Sequence, residues 1–235
     1  MLSTKDNIKV RIFRLRMRAR LIQKDINNPD FKGFLNDVSS ESTDIVCFGE
    51  LATSGCLYTE RKVPALDELV KNFNGLDYSI MIGCPKAAAE GLQNCYMYYD
   101  SGQYQLYHKI NLFEPMNENK VYTPGTEPGI FDTKFGKIGA AICYDLRFPE
   151  IFENLKAAGA EIIFVPAAFP RARINDWKDL LVQRAKDNNI KIVGINAVGD
   201  DGTYEFGGTS MVVDNDGTIL EQADETTETV IEVEL

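Results

Sequence analysis

Histidine is almost absent from this sequence, since His108 is the only one among 235 residues. Metal-dependent hydrolases hold zinc with a set of ligands in which histidine is prominent, and one histidine cannot build the usual set. We therefore expect no metal site in this chain. Its function must depend on other side chains.

The cysteines are few and show neither an even number nor a CxxC pair. They are Cys47, Cys56, Cys84, Cys95 and Cys143. Cys47, Cys84 and Cys95 lie inside apolar runs, where a free cysteine packs as a small hydrophobic residue. This pattern argues against a disulfide framework and a zinc site, and it favours a reducing compartment such as the cytoplasm.

Positive charge is also in short supply. Lys and Arg together number 25 against 35 Asp and Glu, which gives a formal net charge of -10. Binding to nucleic acid needs a basic surface, so we expect no nucleic-acid partner. No apolar run approaches the ~20 residues that cross a bilayer, so we expect a soluble protein without a membrane partner.

One basic segment stands apart from this acidic composition. Val10–Leu21 carries five arginines and no acid, a composition that is also found in mitochondrial targeting sequences. Arginines from Arg14 to Arg20 alternate with apolar residues from Leu15 to Leu21, and this period of two predicts a first strand. We favour the strand, with its arginines facing solvent or paired with acids.

Linkers, repeats and low-complexity tracts are missing, so we predict a single domain over residues 1–235. Strand and helix signals alternate, and fully apolar strands such as 161–169 favour a sheet that is covered on both faces. These features predict an α/β fold. Further strands are predicted at 43–50, 78–85, 93–100, 103–110, 137–143, 190–198, 208–214, 218–223 and 229–235. Helices are predicted at 28–38, 63–73, 149–159 and 174–189.

Three reactive residues each lie near the end of an apolar run that predicts a buried strand. They are Glu50 in IVCFGELATSG, Lys109 in YHKINLF and Cys143 in IGAAICYDLRFPE. A carboxylate that carries protons, an ammonium that stabilises an oxyanion and a nucleophilic thiol would form a complete set for acyl transfer. Each residue also has a simpler interpretation, as a cap or ion-pair partner for the two charged residues and as a packing residue for the cysteine.

The single histidine is a poor candidate for the base that would activate Cys143. Neighbouring residues of a strand point to opposite faces, so His108 and Lys109 cannot both face one site. If Lys109 faces the site, the base must be a carboxylate, and Glu50 is the candidate. The YDLRFPE stretch after Cys143 predicts a change from strand to helix, where backbone amides favour a thiolate and an oxyanion.

The stretches FGELATSG, YHKINLF and GAAICYDLRFPE are similar, in the expected order, to the three signature stretches of the nitrilase superfamily of carbon-nitrogen hydrolases. The similarity continues through residues 164–199 and 206–217 and covers about four-fifths of the chain. The resemblance implies an α-β-β-α sandwich and a triad of Glu50, Lys109 and Cys143. It also implies an assisting glutamate, for which Glu118 is favoured over Glu114.

Membership of this superfamily would imply a cysteine-dependent amidase that cleaves a carboxamide through a thioester, without a metal or organic cofactor. The backbone N–H of Tyr144 would complete the oxyanion site beside the lysine. Residues 170–189 look most like the omega-amidase branch, whose members act on terminal amides of small dicarboxylic acids. The same triad could act on a nitrile, an N-carbamoyl or an N-acyl compound, or the chain could be a catalytically silent binding protein.

The resemblance leaves substrate recognition open. Arg147, Arg171 and Arg173 follow predicted strand ends and could bind a substrate carboxylate, or they could be surface arginines that pair with acids. We expect a small-molecule amide as substrate and a homodimer or higher homo-oligomer as the assembly. Two departures from the family stand out: the chain is short, and the predicted first strand at 10–21 lacks the glutamine that is common there.

Overall fold

The structure, a computed structural model, describes residues 16–28, 30–36, 38, 41–59 and 62–235. Strands β1 to β14 span Arg18–Gln23, Ile45–Phe48, Ser79–Ala87, Leu92–Asp100, Gln103–His108, Gly129–Thr133, Gly136–Ala140, Ile162–Pro166, Lys191–Ile195, Val198–Asp200, Glu205–Gly207, Met211–Val213, Ile219–Gln222 and Thr229–Glu234. Helices α1 to α3 span Leu66–Val70, Pro149–Ala157 and Ile174–Asn188. Short 3-10 helices span Lys32–Leu35, Lys71–Phe73, Glu114–Met116, Glu118–Lys120, Cys143–Arg147 and Arg171–Arg173.

Within these described residues, the strands form two six-stranded sheets and a two-stranded ribbon of β10 and β11. The first sheet has the order β14-β1-β2-β3-β4-β5, with β1, β2 and β3 parallel. The second has the order β13-β12-β9-β8-β7-β6, with β7, β8 and β9 parallel. The parallel strands at the centre of each sheet end at the same edge, where ligand sites of α/β proteins are usually found.

The two sheets pack face to face, and alternate residues of β2 point into two different hydrophobic cores. Ile45 and Cys47 join the core between the sheets, whereas Val46 and Phe48 face a second core beneath the short helices near the N-terminus. All four side chains are fully buried. This double burial explains why the strand is apolar throughout rather than alternating with polar residues.

Helices α2 and α3 cover the outer face of the second sheet. Phe152 of α2 and Trp177 of α3 are both fully buried there. The Trp177 side chain lies so close to β9 that a Cβ at Gly194 would be 2.7 Å from its ring. The layers are therefore helix, sheet, sheet and helix, and the predicted α-β-β-α sandwich is confirmed.

Within the described residues the N-terminal strand begins at Arg18, so Arg16 and Met17, which the prediction included, lie before it. Ala19 and Leu21 are buried and Arg18 pairs with Asp44 at 2.8 Å, as the alternation predicts. Residues 10–15, the first half of the arginine-rich segment, lie outside the described residues, and Arg14 and Leu15 are among them. The strand runs on to Gln23, which is fully buried, so the expectation that it lacks a glutamine was wrong.

Other predictions of secondary structure also need correction. The helix expected at 28–38 is a 3-10 turn over Lys32–Leu35, and residues 29 and 37 lie outside the described part. Strand β7 ends at Ala140, so Cys143 does not end the strand but begins a 3-10 helix. The strand β6 was not predicted, because GIFDT has too few apolar residues for a clear signal.

Helices capable of spanning a membrane are absent from the described part of the chain, since none is long and apolar enough.

Candidate active site

The loop after β2 places Glu50 at the edge where the parallel strands end. Its neighbour Leu51 has a φ of 49°, which turns the chain sharply after the glutamate. The loop lies directly against Gly83 of β3, where an added Cβ would be 2.4 Å from the Gly49 carbonyl oxygen. Glycine at this position lets the loop approach the sheet and fixes the place of the carboxylate.

Lys109 follows the last residue of β5 and is 1% exposed. Its Nζ lies 2.8 Å from Oε1 of Glu50 and 2.9 Å from both carboxylate oxygens of Glu118. Burial alone lowers the pKa of this lysine, but the charges of Glu118 and Glu50 outweigh it and raise the pKa well above its ordinary value. The side chain is therefore an ammonium held between two carboxylates.

Glu118 is the carboxylate that stands across the lysine from Glu50. It is buried, and its Oε2 accepts the backbone N–H of Phe113 at 2.6 Å. Burial raises the pKa of Glu118, whereas Lys109 lowers it. Glu114, the alternative at sequence level, is exposed. The structure thus brings Glu118, not Glu114, to Lys109.

Asn94 of β4 ties the two carboxylates together. Its Nδ2 donates to Oε1 of Glu50 at 2.7 Å and to Oε1 of Glu118 at 3.3 Å. Its backbone carbonyl accepts the N–H of Lys109 at 2.9 Å. The Asn94 amide therefore holds both carboxylates beside the lysine. No local pattern in the sequence marks this asparagine as part of the site.

Cys143 lies on the opposite sheet, at the turn that follows β7. It has a φ of 47°, in the left-handed region that non-glycine residues seldom adopt. Asp145 holds this turn, because its Oδ2 accepts the Ile142 N–H at 2.9 Å and the Tyr107 hydroxyl at 2.8 Å. Its Oδ1 accepts the backbone N–H of Asn111 at 2.8 Å. The strained backbone of the cysteine is thus fixed by a buried carboxylate.

The thiol of Cys143 is buried and close to the charged groups. Burial raises its pKa well above the ordinary value, and the charge of Glu50 raises it further, whereas Lys109 lowers it. The charge of Glu118 raises the pKa of this thiol as well. The resting residue is therefore a neutral thiol next to a carboxylate that is able to accept its proton.

Glu50, Lys109, Glu118 and Cys143 lie at the floor of one cleft, whose empty space, with its open mouth included, is about 550 Å³. Its walls are mostly apolar and aromatic, with Phe113 and Tyr144 in contact at 4.9 Å between ring centroids. Tyr144 is the second residue of the 3-10 helix that starts at Cys143, so its N–H belongs to the first, intrahelically unbonded turn. Apolar and aromatic walls with a few convergent polar groups are typical of small-molecule sites.

The three candidate arginines are placed differently. Arg147 and Arg173 line the cleft, but Arg171 does not. Arg171 pairs instead with Glu205 at 2.6 Å, which is the simpler of its two sequence-level interpretations. Arg147 pairs with Asp176 at 2.6 Å, and the guanidinium of Arg173 lies 5.8 Å from the centre of the Phe113 ring.

Residues with metal-binding side chains do not cluster in groups of three or more that could hold a metal ion, as far as the described chain goes. The ammonium of Lys109 offsets part of the negative charge of Glu50 and Glu118.

The sequence model of the carbon-nitrogen hydrolase family matches residues 19–235. The 2-oxoglutaramate amidase of Bacillus subtilis is 36% identical over 114 residues, which cover 48% of this chain and 44% of that protein. The deaminated glutathione amidase of Yersinia enterocolitica is 40% identical over 126 residues, covering 49% and 44%. The aligned parts thus span less than half the length of these relatives.

Solved structures of other proteins share the fold of this chain over nearly its whole length. A CN-hydrolase superfamily protein of Xanthomonas campestris, solved with an arsenic adduct in its active site, superposes with a TM-score of 0.82 at 26% identity. The match covers 94% of this chain and 90% of that one. Nit3 of Saccharomyces cerevisiae, in the nitrilase superfamily, shares the fold with a TM-score of 0.82 at 24% identity, covering 94% and 90%. Because the family model matches residues 19–235, the chain belongs to the carbon-nitrogen hydrolase family.

Proposed function

We propose that this protein is a cysteine-dependent amidase that releases ammonia from the terminal carboxamide of a small dicarboxylic acid monoamide. The observation that carries the proposal is the buried array at the floor of the cleft. There Lys109 lies 2.8 Å from Glu50 and 2.9 Å from Glu118, next to the thiol of Cys143. These groups supply a nucleophile, a proton carrier and a cation for the oxyanion.

Acylation begins with the neutral thiol. Because burial raises the pKa of Cys143, a free thiolate is scarce, and Glu50 removes the proton as the sulfur attacks the amide carbon. Lys109 keeps its charge, since Glu118 and Glu50 hold its pKa high against burial, and it stabilises the oxyanion together with the Tyr144 N–H. Each such donor contributes about 3–4 kcal/mol to transition-state stabilisation.

Collapse of the tetrahedral intermediate breaks the carbon–nitrogen bond. Glu50 returns the proton to the nitrogen, so ammonia leaves and the acyl group stays on Cys143 as a thioester. A water molecule then gives one proton to Glu50 and attacks the thioester carbon. The acid is released and the proton returns to the sulfur, which restores the thiol.

Selectivity for an acid would come from the arginine side of the cleft. Arg173 has no carboxylate within salt-bridge distance among the described residues, so its guanidinium is available for a substrate carboxylate. Arg147 is a weaker candidate because Asp176 already occupies part of it. The relatives named 2-oxoglutaramate amidase, at 36% and 35% identity, support this substrate class.

The test is ammonia release from succinamate, butyramide and 3-cyanopropanoate, assayed with the purified protein. We expect succinamate to be hydrolysed faster than butyramide, and Cys143→Ala to remove turnover without loss of fold. Arg173→Met should raise KM for succinamate and leave butyramide nearly unaffected. Arg171→Met is the matched control, since that arginine faces Glu205 outside the cleft.

A different experimental outcome would contradict each part of the proposal. Wild-type rates in Cys143→Ala would remove the cysteine from the mechanism. A tenfold or greater preference for butyramide or the nitrile would leave the triad in place and exclude the acid-amide substrate class. Absence of turnover with every compound would favour the silent binding protein.

A further inference from the structure

Tyr122 carries a buried hydroxyl that finds no hydrogen-bond partner among the described residues. The side chain is 4% exposed and lines the cleft together with Glu50, Lys109 and Cys143. Buried tyrosine hydroxyls are normally bonded, and an unbonded one in a native structure needs an explanation. A polar group of the substrate would supply the missing partner.

The backbone around Tyr122 places this side chain on the carboxylate side of the cleft. Its N–H donates to the carbonyl oxygen of Glu118 at 2.7 Å, and it pairs with Leu92, two residues before Asn94 on β4. Burial raises the pKa of Tyr122, and Cys56, Glu118 and Glu50 raise it further. The hydroxyl therefore lies in the field of the carboxylates, and it remains protonated.

The leaving nitrogen of an amide must also lie on this side. In the mechanism proposed above, Glu50 returns a proton to that nitrogen, so the nitrogen departs beside the carboxylates. A primary carboxamide has two N–H groups. One N–H can donate to a carboxylate. The other N–H needs a second acceptor, and a neutral hydroxyl can accept it without adding a third negative charge to the site.

We propose that the Tyr122 hydroxyl accepts a hydrogen bond from the carboxamide nitrogen and so selects primary amides over N-substituted amides. This inference rests on the proposed amidase function. In an N-methyl amide one N–H is replaced by a methyl group, which cannot donate to the hydroxyl and leaves it buried without a partner. Tyr122 would thus be a specificity residue for the leaving group, separate from the arginines that face the acid.

The experiment measures succinate formation from succinamate and N-methylsuccinamate by the wild type and by Tyr122→Phe. The wild type should have a higher kcat/KM for succinamate than for N-methylsuccinamate. In Tyr122→Phe this ratio should fall about five- to tenfold, because kcat/KM for succinamate decreases. The ratio of the two kcat/KM values is taken within one preparation, so a loss of folded protein cancels. Tyr78→Phe is the matched control, since its hydroxyl bonds to Leu35 at 3.2 Å, away from the cleft.

An unchanged ratio in Tyr122→Phe would overturn the inference and leave the amidase function standing. An equal fall for both substrates would also overturn it, because it would indicate a structural role for the hydroxyl. The same change of ratio in Tyr78→Phe would do so as well. If the wild type hydrolyses neither amide, the proposed function itself fails, and this inference fails with it.

Discussion

Lys109 has a fully buried ammonium whose place is set by two carboxylates and a backbone contact. An arginine would keep the charge, but its planar fork cannot occupy the position of a compact ammonium between Glu50 and Glu118. We expect Lys109→Arg to retain less than about a tenth of the wild-type kcat, equivalent to at least about 1.4 kcal/mol in the barrier. Steady-state kinetics with succinamate would measure this loss.

Lys134→Arg serves as the control for the same exchange at a solvent-exposed lysine, whose side chain is 45% exposed. That variant should keep wild-type activity. A Lys109→Arg variant with more than a tenth of the wild-type kcat would mean that a close point charge is not needed. The lysine would then have a structural role as the counter-ion of two buried acids.

The sequence could indicate Glu50, Lys109 and Cys143 because each interrupts or ends an apolar run. Glu118 was reached only through the family resemblance, and the structure brings it to the lysine. Asn94 and Tyr122 gave no comparable signal, since each is a polar or aromatic residue of ordinary appearance in a strand or loop. Their significance depends on partners that are distant in sequence, such as Glu50 for Asn94.

The turn after β7 is the element that presents the thiol, and Asp145 holds it. Asp145→Asn has the same shape, but its amide group would face either the N–H of Asn111 or that of Ile142. A buried donor would then lose its acceptor, at about 1–3 kcal/mol for each group. We expect the free energy of unfolding to fall by at least about 2 kcal/mol, measured by urea denaturation.

The same variant should also lower kcat, because the φ of 47° at Cys143 depends on this turn. Asp132→Asn is the control, since the Asp132 side chain is 80% exposed and should tolerate the change. Equal stability of Asp145→Asn and the wild type would show that the turn is held by the backbone alone.

Long elements were predicted well and short ones poorly, for a physical reason. Helix α3, at Ile174–Asn188, has enough turns for its apolar face to repeat, and β3 at Ser79–Ala87 is a long apolar run. The 3-10 helix at Lys32–Leu35 and the strand at Gly129–Thr133 are too short for any period to be recognised. The start of the helix at Cys143 depends on Asp145, a tertiary contact that the local pattern does not contain.

At the scale of the whole molecule, the net charge of -10 opposes the approach of an anionic substrate. At about 0.01 M salt the Debye length is ~30 Å, so the substrate is repelled by the net negative charge of the whole protein. At about 0.15 M the Debye length is ~8 Å, so the substrate is influenced mainly by the arginines of the cleft. We expect kcat/KM for succinamate to rise about two- to threefold between these conditions. The value for neutral butyramide should stay constant, and a fall for succinamate would mean that the arginines dominate at all distances.

The sequence pattern could not predict which strands belong to which of the two sheets. Strand β14, at the end of the chain, pairs with β1 at its start, and nothing local to either strand indicates that partner. Both faces of the central strands are buried, so their composition does not show which face meets the other sheet. The α/β class and the alternation of elements were predictable, and the sandwich came from the resemblance.

The neutral state of the Cys143 thiol makes the enzyme less sensitive to oxidation by peroxides. Peroxides attack thiolates, so a cysteine whose pKa is raised by burial and by Glu50 is a poor target for oxidation to sulfenic acid. The protein should therefore keep its activity in hydrogen peroxide at doses that inactivate enzymes with a standing thiolate. A loss of activity as fast as theirs would indicate that the resting sulfur is ionised. A nucleophile that is activated only as substrate binds is protected against oxidation between turnovers.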